Sequence, residues 1–114
     1  MASDHADDAV TIRLGAARKL LAQATPKGRR LLELFARQQL VGLEELREEF
    51  GVSQNGLNAL LGHLTLVFQE IQAAPGFYIY IPAEKSWAIG HASGINLRRA
   101  IKDDEESRQA RLRF

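Results

Sequence analysis

A chain of 114 residues is long enough to bury one core and too short for two, and a composition 46% hydrophobic and 25% charged excludes general disorder. The absence of cysteine excludes a disulfide framework and a thiolate metal site, and fits a reducing, cytoplasmic setting. A net charge of +1 conceals an uneven pattern: −2 over residues 1–15, +5 over 16–37, −5 over 38–84 and +3 over 85–114, so basic segments flank an acidic middle.

Residues 1–8, MASDHADD, are acidic and lack an apolar core, so they fit a frayed tail better than a secretory or transit leader. Over 9–24 the positions Val10, Leu14, Ala17, Leu20 and Leu21 predict a helix. Val10, Ile12 and Leu14 also fit a short alternating strand, and both readings stay open. Thr25-Pro26 is a helix start, with a hydroxyl to cap and a proline at the first position. The helix runs to about Gln39 and buries Leu31, Leu32 and Phe35; Leu40-Val41-Gly42 is a brief extended link. Leu43 to Phe50 forms a short helix with Leu43, Leu46 and Phe50 on one face. Gly51 follows, where a C-terminal cap requires positive φ. Ser53 caps a further helix that buries Leu57, Leu60, Leu61, Leu64, Phe68 and Ile71 and continues towards Ala73. Its polar interruptions leave no stretch long enough to span a membrane.

Pro75-Gly76 stops that helix, and Phe77 to Ile81 reads as a strand. Pro82 to Lys85 turns the chain, and Ser86 to Ile89 returns antiparallel. Gly90 to Ser93 is then a loop, with Ser93 capping a last helix that begins near Gly94. That helix buries Ile95, Leu97, Ala100 and Ile101 and becomes a charged extension or tail over 103–114.

Counted from Leu43, apolar residues occupy the fourth (Leu46), eighth (Phe50), tenth (Val52), fifteenth (Leu57) and eighteenth (Leu60) places, with Gly51 at the ninth. With a strand pair following, residues 25–102 resemble the winged helix-turn-helix DNA-binding family, whose motif is two helices sharing a small core across a sharp turn. The fifth place departs from that pattern: Arg47 stands where a small residue is usual, and its side chain must swing outward. The resemblance implies an α+β, mostly helical fold: a winged helix-turn-helix with an extra N-terminal helix, a two-stranded wing and a C-terminal helix.

It also implies a small DNA-binding transcriptional regulator that takes double-stranded DNA as partner and acts as a homodimer. The N-terminal helix is the natural dimerisation element. Base reading would fall to Gln54, Asn55, Asn58 and His63 at the second motif helix, with Ser53 at its start, since amides both donate to and accept from an adenine edge. Phosphate contacts would come from Lys27, Arg29 and Arg30 in one helix turn, Lys85 at the wing tip, and Arg98 and Arg99 on the last helix. Opposing this, no Lys or Arg lies between Arg47 and Lys85, and Glu44, Glu45, Glu48 and Glu49 repel a phosphate backbone. The alternative is a winged-helix adaptor that binds protein through the Glu44–Glu49 face. Leu66, Val67, Tyr78 and Tyr80 exceed the needs of one small core.

Catalytic and cofactor readings find no support in the residue pattern. His5, His63 and His91 have no metal spacing, and His63 reads as a boundary residue, not a base. Gly90 to Gly94 lacks the Lys-Ser/Thr of a phosphate loop. Asp103 to Glu106 lacks calcium-loop spacing and reads as a solvated face. Trp87 is assigned to hairpin packing in preference to base stacking. No enzyme, metal or cofactor is expected.

Overall fold

The computed structural model describes residues 10–72 and 76–112. The tail expected over 1–8, the helix end near Ala73 with its Pro75 stop, and Arg113 lie outside the described residues. The fold is α+β and mostly helical. Helix α1 spans Leu14–Gln23 and α2 Pro26–Gln38, followed by strand β1 (Leu40–Gly42), α3 (Leu43–Phe50) and α4 (Gln54–Gln72). Strands β2 (Tyr78–Ile81) and β3 (Ser86–Ile89) enclose a single 3-10 turn, and α5 runs from His91 to Leu112.

The capping signals place the helices. Thr25 accepts the Gly28 N–H through its hydroxyl at 3.1 Å, with Pro26 at the first position. Gly51 closes α3 in the left-handed region at φ 61°, a conformation that favours glycine, and Ser53 accepts the Gly56 N–H at 3.3 Å to open α4. The angle between α3 and α4 is therefore set at Gly51. Arg47 does swing outward, 3.6 Å from Glu44.

Three elements differ from expectation. The first is β1, which is a full strand: it pairs antiparallel with β3 (Leu40↔Ala88, Val41↔Trp87, Gly42↔Ser86). The sheet is thus three-stranded in the order β1-β3-β2, not a two-stranded hairpin alone. Three residues carry too little alternation to signal a strand; the ladder of β3 supplies the order.

The second concerns Val10 to Arg13, neither helix nor strand. Its backbone groups are satisfied from distant elements. Ile12 N–H donates to Ser93 Oγ (2.9 Å), and Ile12 C=O accepts from Asn96 Nδ2 (2.7 Å). Gln72 accepts from Arg13 N–H and donates to Thr11 C=O, while Val10 N–H donates to Gly76 C=O. Helix formation here would forfeit all of these bonds.

The third is the start of α5, three residues earlier than expected. Ser93 is fully buried inside that helix and receives Ile12 instead of capping. Ile95, expected inside, is 45% exposed, whereas Leu97 and Ala100 are buried.

The core lies where α1 and α2 pack against α4 and α5. It is floored by an aromatic cluster in which Phe77 meets Phe35, Phe68 and Tyr78 edge-on at 5.2–6.3 Å. Gly28 is buried at the crossing of α2 and α4, where an added Cβ would stand 3.2 Å from the Leu64 side chain. That close approach holds α4 against the start of α2 and fixes the surface described next.

Candidate interaction surface

Helix α4 buries Leu57, Leu61, Leu64 and Phe68 and turns its opposite side outward. Gln54, Asn55 and Asn58 are exposed near its start, as base reading requires, and Ser53 is engaged as the cap. His63 is half-buried, with Nε2 enclosed and without a hydrogen-bond partner. It lines a groove of ≈ 640 Å³ formed by Thr25, Pro26 and Lys27 on one side and Val52, Gly56, Ala59, Leu60 and His63 on the other. Apart from Lys27 and the imidazole, the lining side chains are uncharged and largely apolar.

The first-turn cations of α2 do not form one cluster. At 100° per residue, Arg29 points about 160° from Lys27 and about 100° from Arg30, while Lys27 and Arg30 lie about 60° apart. Lys27 faces the groove. Arg29, only 17% exposed, reaches Asp104 at 2.6 Å and Glu33 at 3.3 Å. Arg30 pairs with Glu49 and lies over the Phe50 ring, 5.2 Å from its centroid.

The remaining cations are also placed apart from α4. Lys85 sits exposed in the hairpin turn in a left-handed conformation, and Arg98 donates to the Ala36 carbonyl at 2.7 Å near the end of α2. Arg99 is exposed on α5, which packs chiefly against α1 and α2. Arg37, Arg98 and Lys102 share a separate α2–α5 groove with Glu33 and Glu105.

On α3, Glu45 accepts from Gln38 and Glu49 from Arg30, and the acidic side chains stay exposed. Asp103 and Asp104, read as a solvated face, instead receive Arg18 (2.9 Å) and Arg29, which tie α5 to α1 and α2, and Asp104 also meets Arg108 within α5. Trp87 is buried against Tyr80, as hairpin packing requires. The α1 residues Ala16, Ala17, Leu20 and Leu21 are all buried within the chain, which leaves that helix without a free apolar face for dimerisation.

The groove escaped sequence reading because its walls, residues 25–27 and 52–63, meet only across the α2–α4 crossing. Among the described residues, no group of three or more His, Cys, Asp or Glu assembles to hold a metal, and no helix is long and apolar enough to cross a membrane. Comparison with family models, with curated proteins and with solved structures returned no match, so geometry alone carries the functional argument.

The placement of Arg29 has a direct check. Arg29→Met is expected to cost about 1 kcal/mol, because it removes the ion pair that joins α2 to Asp104 of α5, and to lower Tm by a few degrees in thermal melting. An unchanged melt would mean that Arg29 is free for other work.

Proposed function

We propose that this chain is a winged-helix module whose α4 contacts protein in place of DNA bases. The strand order β1-β3-β2 and the succession from α2 through the hairpin support the winged-helix reading. One observation carries the protein-contact reading. From Gln54 to Gln69, α4 holds no Asp, Glu, Lys or Arg, and its outer side runs into an apolar groove. Phosphate neutralisation supplies most protein–DNA affinity, and apart from Lys27 at the groove the candidate cations are engaged by carboxylates or lie away from α4. An uncharged helix face beside an apolar hollow is the ordinary chemistry of a protein contact.

The regulator reading keeps one specific observation in its favour: Gln54, Asn55 and Asn58 present three amides at the exposed start of α4. A fluorescence-anisotropy titration against mixed-sequence duplex DNA, at low and raised salt, separates the two readings. Protein contact predicts no saturation below about 100 μM at physiological salt, the weak end of non-specific binding. Tighter binding that falls steeply with salt and loses sequence preference in Asn55→Ala/Asn58→Ala would establish the regulator instead.

A further inference from the structure

We propose that strand β2 pairs edge to edge with β2 of a second copy of this chain, antiparallel about a two-fold axis at Ile79. This surface is separate from α4 and goes beyond the reading given above.

The direction of each backbone group on β2 follows from the ladder. Ile89 N–H donates to Gln39 C=O and Leu43 N–H to Lys85 C=O, so residues 85, 87 and 89 turn their polar groups towards β1. Ser86 and Ala88 therefore bond to β2, at Ile81 and Ile79. Tyr78 and Tyr80 are left facing away from the sheet, and their N–H and C=O groups find no partner among the described residues. Such an edge invites another strand, and folded monomers commonly guard it with a charge, a bulge or an internal proline. β2 reads Tyr-Ile-Tyr-Ile and has none of these. The opposite edge is guarded: β1 is three residues long and runs directly into the glutamates of α3.

The free stretch has its own limits, and they select the partner. At one end Gly76 C=O is already taken by Val10 N–H; at the other Pro82 has no N–H to give. Both stand three residues from Ile79. A two-fold at Ile79 sets each Gly76 opposite Pro82 of the other copy, so neither end loses a bond. Between them Tyr78 meets Tyr80 of the second copy twice over, each pair exchanging both of its N–H···O=C bonds. Moving the axis to Tyr78 or Tyr80 keeps one tyrosine pair and sets the other tyrosine against Gly76 or Pro82. The side chains agree with this register. Leu40, Ala88 and Ile79 lie abreast on the sheet face away from Phe35, and the axis continues that row through Ile79 of the second copy as an uncharged, β-branched pair. A strand of four residues buries little surface, so the dimer is reversible and concentration-dependent.

Sedimentation equilibrium on the full chain, up to about 1 mM, is expected to show a monomer–dimer equilibrium. In NMR-detected hydrogen exchange the Tyr78 and Tyr80 amides should slow by about threefold or more between about 50 μM and about 1 mM. The Ile79 and Ile81 amides, bonded to β3, should stay protected at both concentrations. Tyr80→Pro removes an outward donor without touching the β3 ladder, and should weaken the dimer by about tenfold or more while the dilute chain still melts cooperatively. The chain contains no cysteine, so Ile79→Cys places a single thiol at the axis, with Cα atoms about 4.5 Å apart, and mild oxidation should cross-link it. Leu40→Cys, exposed on the same face at the other edge, should stay uncross-linked. The proposal is overturned by a chain monomeric at every concentration, or by Tyr78 and Tyr80 amides equally protected throughout. A dimer that survives Tyr80→Pro and cross-links through Leu40→Cys overturns it as well. Each of these results leaves the α4 reading standing, since the DNA titration tests that reading separately.

Discussion

Phe77→Ala is expected to produce the largest loss of stability of any single substitution proposed for this chain, about 3–5 kcal/mol. The ring is fully buried and meets three aromatic neighbours edge-on: Phe68 and Tyr78 at 5.2 Å and Phe35 at 6.3 Å. Truncation forfeits those contacts and leaves a cavity whose walls belong to α2, α4 and β2, elements already in close contact and poorly able to collapse. Against a typical total of about 5–15 kcal/mol, the loss brings the domain close to unfolding at ambient temperature. Thermal and urea melts monitored by circular dichroism should show Tm lower by about 15 °C. Phe77→Leu, which fills much of the space, should lose less than half as much. A change below about 1 kcal/mol for the alanine variant would show that the cluster is loosely packed and does not anchor the hairpin.

The second large effect is expected at Ser93. Its hydroxyl is fully buried and accepts the Ile12 N–H at 2.9 Å. Ser93→Ala removes the acceptor without adding an atom to the buried site, so the Ile12 amide is left unsatisfied. The expected cost is about 1–3 kcal/mol. Ser93→Thr, which retains the oxygen, should recover part of it. Hydrogen exchange locates the effect: the Ile12 amide should lose at least tenfold protection, while amides of β3 keep theirs. Asn96→Ala, which frees the Ile12 carbonyl, should couple with Ser93→Ala in a double-mutant cycle because both side chains hold the same peptide segment. Additive losses would mean that residues 10–13 are fixed by packing of Ile12 alone.

How much of this could be read from the sequence depended on how local each signal was. Thr25-Pro26, Gly51 and Ser53 each act within one turn of chain, and the helix boundaries they imply are the observed ones within a residue. The hairpin was equally legible, because aromatic and β-branched residues flank the Pro82–Lys85 turn. Failures came where partners lie far apart. Ser93 has the composition of a cap, but Ile12, 81 positions away, claims its hydroxyl. Val41 is a strand residue only because Trp87 pairs with it. Arg29 sits beside Arg30 in sequence, yet about 100° further around α2 it pairs with Asp104, 75 positions on, where Arg30 pairs with Glu49.

The candidate surface divides in the same way. The exposure of Asn55 and Asn58 follows from helical periodicity. The groove does not, since it requires knowledge that α2 crosses α4 at Gly28.

The attachment of Val10–Arg13 to Ser93 and Asn96 also bears on how the protein is made. During synthesis the opening segment emerges from the ribosome long before its partners, and at about 5–20 residues per second it waits several seconds for them. Ile12 therefore spends that interval as an unclaimed apolar residue beside a nascent α1. Residues 10–13 are fixed only once α5 has cleared the exit tunnel and Ser93 and Asn96 can reach Ile12.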